Sequence, residues 1–569
     1  MRLVWTILLS AVAFAQPPAA APAKDPAKDP KAPTEDGIPV TSRLVISKCS
    51  ACHRKDEKGN LSRISWERTT PEGWQQAIKR MVRLNGLTLS PEEARQIVKY
   101  LSNHHGLAPE EAKPVMYIAE KRMIDEVVPN QIMQNTCVIC HAQGRAASWR
   151  RTKQEWSLLV DMHAGYFPVV EFQGFRAFPP PPDAPPPPPG TDTRHPADQV
   201  VDYLAKTYGL QSPEWSAWQA RMRAPKLSGR WLVSANMLGK GKFTGEMTIE
   251  KSASAEDEFT TSITLKSVRD GSTWKRQGKA LIYTGYAWRG RSTSATDSVK
   301  EMREAMWVSP DQNSAEGRWF WGAYDESGFD VTLRRAGDSI QVTGVDRHSL
   351  KSGSTGTKVR VFGDRFPTNL TPDDFDFGSG ISVKRVTAST PNEVTVEVDV
   401  DAKAIAGKRD VSVRRSVAAN VLAVYEKVDY IKVSPDTALA RLGGTSHPKG
   451  FQQFEAIAYS NGPDGKPRTA DDIELGPIDA DFTIEEFHAV YGDDDKEFVG
   501  TLTKEGFFTP AGEGPNPKRK HGRNNYGDVW VVATAKTEKD KEGKPLIAKS
   551  YLVVTVPLYV QWDQPEVAQ

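Results

Sequence analysis

The sequence predicts a multidomain chain: an N-terminal α-helical domain, then an antiparallel β-barrel-like domain, then two immunoglobulin-like β-sandwich domains. Three observations predict it. At 569 residues the chain exceeds what one hydrophobic core organises. Up to about residue 224 apolar side chains recur at helical spacing, as in Ala94, Ile97, Val98 and Leu101. Beyond that point they alternate, as in Val394, Val396, Val398 and Val400 against Thr395, Glu397 and Asp399.

Composition narrows the class. A hydrophobic content of 38% and a mean hydropathy of −0.51 are those of a water-soluble chain. A net charge of +2, from 74 basic and 72 acidic side chains, offers no extended field for nucleic acid or an anionic membrane.

Residues 1–15 read as a secretory signal, with Arg2 as the positive end, an apolar run from Leu3 to Val12, and Ala13-Phe14-Ala15 as a small-x-small cleavage site. The run is shorter than the roughly 20 residues that span a bilayer, and no later segment reaches that length, so a periplasmic mature protein without a membrane span is expected. Residues 16–38, rich in Pro, Ala, Lys and Asp, bury too little to fold and read as a disordered leader.

The helical domain, 39–224, carries one motif twice: Cys49-Ser50-Ala51-Cys52-His53 and Cys137-Val138-Ile139-Cys140-His141. C-x-x-C-H is the pattern of c-type haem attachment, two cysteines forming thioethers and the adjacent His taking one axial position on iron. A four-cysteine zinc site is the rival, but the two pairs lie much farther apart than the roughly 15–20 residues usual for one, and zinc gives no reason for the His. Two covalently bound haems c are therefore expected, one in each of two lobes, about 39–110 and 111–224.

The lobes repeat further. Trp74 precedes Met81, and Trp156 precedes His163, by seven residues, about two helical turns on one face. Met81 and His163 thus stand in equivalent places, each able to be a second axial ligand. His104 and His105 rival Met81 in the first lobe, although Thr207 and Tyr208 hold their places in the second. Axial pairs His53/Met81 and His141/His163 would give unequal haems, the thioether raising the potential of the first, and would leave no open position for oxygen or peroxide. Electron transfer is the chemistry expected.

Ser90-Pro91-Glu92-Glu93 reads as a helix start, and the segment from Ala112 to Asn135, with Val115, Ile118, Ala119, Arg122 and Met123, as helical. The second lobe contains an insertion, Pro179 to Pro182 and Pro185 to Pro189, which is stiff polyproline; it is expected as a surface loop over the second haem, with a partner-docking strip as the alternative. The β domain, 225–337, opens at Gly229-Arg230-Trp231-Leu232-Val233, with turns at Asp270-Gly271 and Ser327-Gly328, and its tryptophans read as core, with a quinone or sugar platform as the alternative. Immunoglobulin-like units are expected over 338–427 and 428–562. In the latter, Asn461, Asp464, Asp471 and Asp472 lack the spacing of a calcium loop and read as a polar hairpin, and Lys518-Arg519-Lys520-His521 as a solvated loop.

This order of parts, with the duplicated C-x-x-C-H unit, resembles the α-subunit of quinohemoprotein amine dehydrogenase; the resemblance covers nearly all of the mature chain as architecture, its specific motifs only the haem unit. It implies a dihaem cytochrome c subunit held with a propeller β-subunit and a small γ-subunit bearing cysteine tryptophylquinone, where primary amines are oxidised. It implies that this chain passes electrons from the quinone to a periplasmic acceptor, a copper protein or cytochrome c. Thioether and proximal roles carry over to Cys49, Cys52, His53, Cys137, Cys140 and His141, and the family's mixed pattern of one His/Met and one His/His haem is compatible with Met81 and His163. The proline insertion matches no general pattern of the family. With all four cysteines assigned, no quinone and no substrate site is expected on this chain. The alternatives are a free-standing periplasmic dihaem cytochrome c whose β-sandwiches bind other molecules, and a dihaem peroxidase.

Overall fold

A computed structural model describes residues 35–115, 128, 130–177, 181–253, 255–488 and 492–557. The signal segment, the leader up to residue 34, the helical pattern from Ile118 to Met123, Pro179 and Pro180, and residues 558–562 lie outside the described residues. Among the described residues no helix is long and apolar enough to cross a membrane.

The N-terminal region is helical: α1 (Arg43–Cys49), α2 (Pro71–Asn85), α3 (Pro91–His104), α4 (Pro109–Ala112), α5 (Gln131–Asn135), α6 (Gly144–Ala147), α7 (Lys153–Tyr166), α8 (Pro196–Thr207) and α9 (Pro213–Arg221). Two short strands, β1 (Glu67–Thr69) and β2 (Trp149–Arg151), pair antiparallel with Arg68 opposite Arg150. Each strand leads into a capping threonine, Thr70 of α2 or Thr152 of α7, whose hydroxyl accepts an N–H from the first turn. Trp74 and Trp156 are buried and donate to the carbonyls of His105 and Tyr208, the residues that cap α3 and α8. The sequence repeat is thus a repeat in space, with the two lobes meeting across the β1–β2 pair.

The buried carboxylate of Glu111 ties the lobes together there. Glu111 accepts from Arg68 Nη1 at 2.8 Å and Nη2 at 3.0 Å, from Arg150 Nε at 3.1 Å, from Ser212 Oγ at 2.8 Å and from the Ala108 N–H at 2.8 Å. Arg68, wholly buried, also donates to the carbonyls of Gly106 and Leu210, just beyond α3 and α8. Burial alone would raise the carboxyl, but the hydrogen bonds and charge of Arg68, with the charge of Arg150, bring it down to about 2.

The segment 181–194 is exposed throughout, and its far end is tied down where Arg194 pairs with Asp192 and Asp202.

Eight antiparallel strands then close a barrel: β3 (Gly229–Met237), β4 (Gly241–Lys251), β5 (Glu258–Ser267), β6 (Thr273–Tyr283), β7 (Ala287–Thr293), β8 (Glu301–Val308), β9 (Ser314–Trp321) and β10 (Ser327–Arg335), with β10 pairing back onto β3. Trp231, Phe243, Met247, Trp288, Trp319 and Phe329 fill one core with their neighbours, so the barrel is packed rather than hollow. The turn expected at Ser327-Gly328 lies instead before β10, because Ser327 already pairs with Trp321; Gly322 and Asp325, both at positive φ, reverse the chain there. The first lobe sits on the turn between β6 and β7, where Thr284 Oγ1 donates to the Ser102 carbonyl at 2.7 Å, Tyr286 Oη to the Leu107 carbonyl at 2.9 Å, and Arg289 pairs with Glu72.

The remainder is β. Two four-stranded sheets between Gln341 and Tyr425 share a core of Val359, Val361, Val396, Val398, Val411 and Val424. Further sheets between Tyr430 and Thr555 enclose Phe454, Phe508, Val529, Val531 and Leu552. The 461–472 segment is a hairpin loop: Asp472 accepts backbone N–H groups of Gly462 and Thr469, and Asp471 that of Asp464. Arg519 corrects the reading of its run as solvated, since its side chain is fully buried against Asp494 and Asp495. Those acids are brought together by a short helix at Asp495–Phe498, a partner that local composition does not reveal.

Glu111→Gln would leave two buried guanidinium groups without their counter-charge, and is expected to destabilise the helical region by about 3–5 kcal/mol. The carboxylate's contribution is present above the ordinary value of 4.5 and is lost as pH falls through about 2. Denaturant unfolding of the full chain at pH 7 and at acid pH checks both; the variant should lack the acid-dependent limb.

Candidate functional site

Helix α1 is capped by Ser42 and ends on Cys49, and the N–H groups of Cys52 and His53 both donate to the Cys49 carbonyl, at 3.2 and 2.8 Å. One tight turn therefore gathers the two thiols and the imidazole. His53 Nδ1 lies 2.8 Å from the Ser62 carbonyl. A carbonyl only accepts, so Nδ1 carries the proton and Nε2 keeps its lone pair for a metal.

At the second site Cys137 opens a 3-10 turn, Cys137–Ile139, after α5 has ended. His141 Nδ1 donates to the Ala142 carbonyl at 2.9 Å, and His163 Nδ1 to the Leu159 carbonyl one turn earlier in α7, at 2.8 Å. The two rings are neighbours, with centroids 6.4 Å apart and planes inclined by 46°. Two metal–nitrogen bonds of about 2 Å, each extended by a half-ring of about 1 Å, span about 6 Å, so one metal ion fits between these imidazoles. Phe167 packs against His163 with ring centroids 6.3 Å apart, and Gln173 Oε1 lies 3.6 Å from Cys140 Sγ. Gly174 allows this segment to close in, since a Cβ there would sit 2.9 Å from the Thr136 carbonyl.

Met81 stands on α2 where His163 stands on α7, half-buried. Its rivals are placed otherwise. His105 is fully buried, its ring nitrogens enclosed near the Glu67 carbonyl without hydrogen-bond geometry, and burial holds its imidazole down to about 3. His104 lies tilted against Tyr100 with ring centroids 4.4 Å apart, and neither His104 nor His105 meets the His53 ring among the described ring pairs.

The donor set fits haem. Among the described residues of the helical region the exposed large apolar side chains are Val82, Leu84, Ile139, Tyr166, Phe167, Val169 and Phe172, all within nine positions of a candidate ligand, and a flat apolar macrocycle needs such walls. A shared zinc site does not fit. Among the described residues the group of three or more His, Cys, Asp or Glu side chains with ligand atoms within 4.8 Å is Glu486, Asp493 and Asp495, so the four cysteines do not converge. Burial, with the neighbouring Cys52, pushes the Cys49 thiol up to about 11, away from a thiolate ligand. None of the four cysteines is in a disulfide.

Sequence reasoning missed the carbonyls that orient the imidazoles. That of Leu159 was within reach, being one turn before His163; that of Ser62 depends on how the loop after His53 folds back. It also missed the wall from Tyr166 to Gln173, whose signal was apolar residues continuing past the end of a helix.

Comparison with known families decides the relationship. The haem-binding model of quinohemoprotein amine dehydrogenase A, alpha subunit, matches residues 40–177, and the models for alpha subunit domains II, III and IV match 224–336, 339–426 and 431–567. The chain belongs to the quinohemoprotein amine dehydrogenase alpha subunit family. The insertion from 178 and helices α8 and α9 lie between two matched regions. No match to this chain is found among curated proteins. Among solved structures, a redesigned β-barrel shares 16% identity over 21% of this chain and 98% of its own, with a TM-score of 0.18. Human protocadherin-24 EC1-2 shares 12% over 39% of this chain and 97% of its own, with a TM-score of 0.15. Similarity at that level bears on nothing further.

His163→Ala should convert the second site from a low-spin bis-imidazole to a high-spin spectrum while leaving any thioether-to-iron band. Met81→Ala should do the reverse, removing the far-red thioether band alone. Optical and paramagnetic resonance spectra of the two variants check this, and a bis-imidazole signal surviving in His163→Ala would place the ligand elsewhere.

Proposed function

We propose that this chain is the dihaem electron-transfer subunit of a periplasmic quinohemoprotein amine dehydrogenase, exported by a cleaved N-terminal signal. The neighbouring imidazoles of His141 and His163, each with Nδ1 bonded to a carbonyl, carry the proposal: they would hold a haem iron from both sides and leave it no open position, which suits electron transfer rather than oxygen chemistry. Haem supplies a one-electron iron centre at each site. Cys49 and Cys52 hold one haem and Cys137 and Cys140 the other, as thioethers; His53 and Met81, and His141 and His163, are the axial pairs. Thioether against imidazole sets the two potentials apart and gives electrons a direction.

Primary amines are oxidised on a small partner subunit bearing cysteine tryptophylquinone, in complex with a propeller subunit, and electrons leave this chain for a copper protein or cytochrome c. Membership of the family supports the partnership. The barrel and the two following β units, read as immunoglobulin-like, act as scaffold, and no substrate site is assigned to this chain.

The test is to isolate the tagged chain from its native cells and read haem stain, quinone stain and subunit masses on one gel. Co-purification with a small quinone-staining subunit, with haem reduction on adding a primary amine, is the expected result. A lone dihaem chain in the periplasmic fraction, unresponsive to amines, would favour a free-standing electron carrier.

A further inference from the structure

The two lobes differ at one buried position. Helices α2 and α7 begin alike, the hydroxyls of Thr70 and Thr152 accepting the N–H three residues on, but that residue is Gly73 in one lobe and Glu155 in the other. At Gly73 an added Cβ would lie 2.2 Å from Thr69 Oγ1, so the first lobe has no room for a side chain. Glu155, its side chain 7% exposed, reaches across the lobe boundary to Arg63, with Oε2 2.6 Å from Nε. The N–H is not aligned on that oxygen, so the contact is coulombic more than a hydrogen bond. Arg63 is held at φ +69°, uncommon for a residue with a side chain, and follows Ser62, whose carbonyl orients His53. The pair thus runs from the helix of one haem site to the backbone support of the other.

The other charged groups facing Glu155 are Glu67 of β1 and Arg151 of β2, paired with each other; Arg80 of α2 and Tyr166 at the end of α7 complete the cluster around them. Burial and the Glu67 charge push the Glu155 carboxyl up to about 7 against the pull of Arg63 and Arg151. Eight residues separate Glu155 from His163 on α7, about 12 Å along the axis. A unit charge at about 12 Å and an effective dielectric near 20 changes a carboxyl's proton affinity about tenfold.

We propose that Glu155 is a redox-linked proton site: as one electron enters the second haem site the Glu155 carboxylate binds one proton from water, and it returns that proton when the electron leaves. The added negative charge and the added proton balance, and Arg63, 38% exposed at its side chain, opens the pair to solvent. The inference rests on the reading of His141 and His163 as an axial pair.

The test is a spectroelectrochemical titration of the haem-loaded full chain over about pH 5.5 to 8.5. The second haem's midpoint potential should fall as pH rises in the wild type, and this dependence should be lost in Glu155→Gln with the bis-imidazole spectrum retained. Redox-difference infrared spectra should show a protonated-carboxyl band on reduction that the variant lacks. Arg63→Asn, chosen because Asn tolerates a left-handed backbone, removes a cation that favours the carboxylate and should move the pH window upward; it carries the test if Glu155→Gln does not take up haem. The same pH dependence and band in Glu155→Gln, or an unmoved window in Arg63→Asn, would overturn the proposal. A wild-type spectrum without a bis-imidazole haem would instead overturn the axial reading, a separate result.

Discussion

The arrangement of the helical region depends on one buried anion. A carboxylate out of water costs several kcal/mol unless its lone pairs are met, and Glu111 meets that demand with donors from both lobes and the segments that leave them. Arg68 comes from β1 and Arg150 from β2, opposite each other in the strand pair, so two like charges are brought together and only the anion between them makes that tolerable. The same boundary is crossed by apolar contact, with Trp74 against Trp149 and with Ala77 and Tyr208 packed against both cores, so charge and packing together set the spacing of the two C-x-x-C-H turns.

Each candidate proximal or distal imidazole is prepared by the backbone. Ser62, Ala142 and Leu159 carbonyls take the Nδ1 protons of His53, His141 and His163, which fixes tautomer and ring direction with no side chain spent on the task. The first lobe is further steadied by the barrel, whose β6–β7 turn holds the end of α3 through Thr284 and Tyr286. A packed barrel interior makes that turn a rigid seat.

Much of this was legible in the sequence, and the boundary is physical. Motifs with fixed local geometry read directly: the C-x-x-C-H turns, the helix start at Ser90, the alternation of Val394 to Val400. The duplication also read directly, because Trp74 and Trp156 keep one distance from Met81 and His163 on straight helices. What failed to read depends on partners distant in the chain. Arg519 looks like one more basic residue until Asp494 and Asp495 are placed beneath it, and Ser327-Gly328 looks like a turn until strand register shows it paired with Trp321. Glu111 and Arg68, the residues on which the lobes depend, carry no signal at all, being an ordinary acid and an ordinary base 43 residues apart.

Cys49 is buried at the end of α1 whereas Cys52 is exposed. On the proposed chemistry, the bond to Cys49 has to form while α1 is still open, before its apolar face, Val45 with Cys49, packs on Ile97 and Leu101 in the same core. Assembly of the first site is then ordered in time: on that chemistry the chain accepts its prosthetic group on a loose segment and only afterwards closes around it. Maturation, rather than the finished fold, is where this lobe is most open to failure.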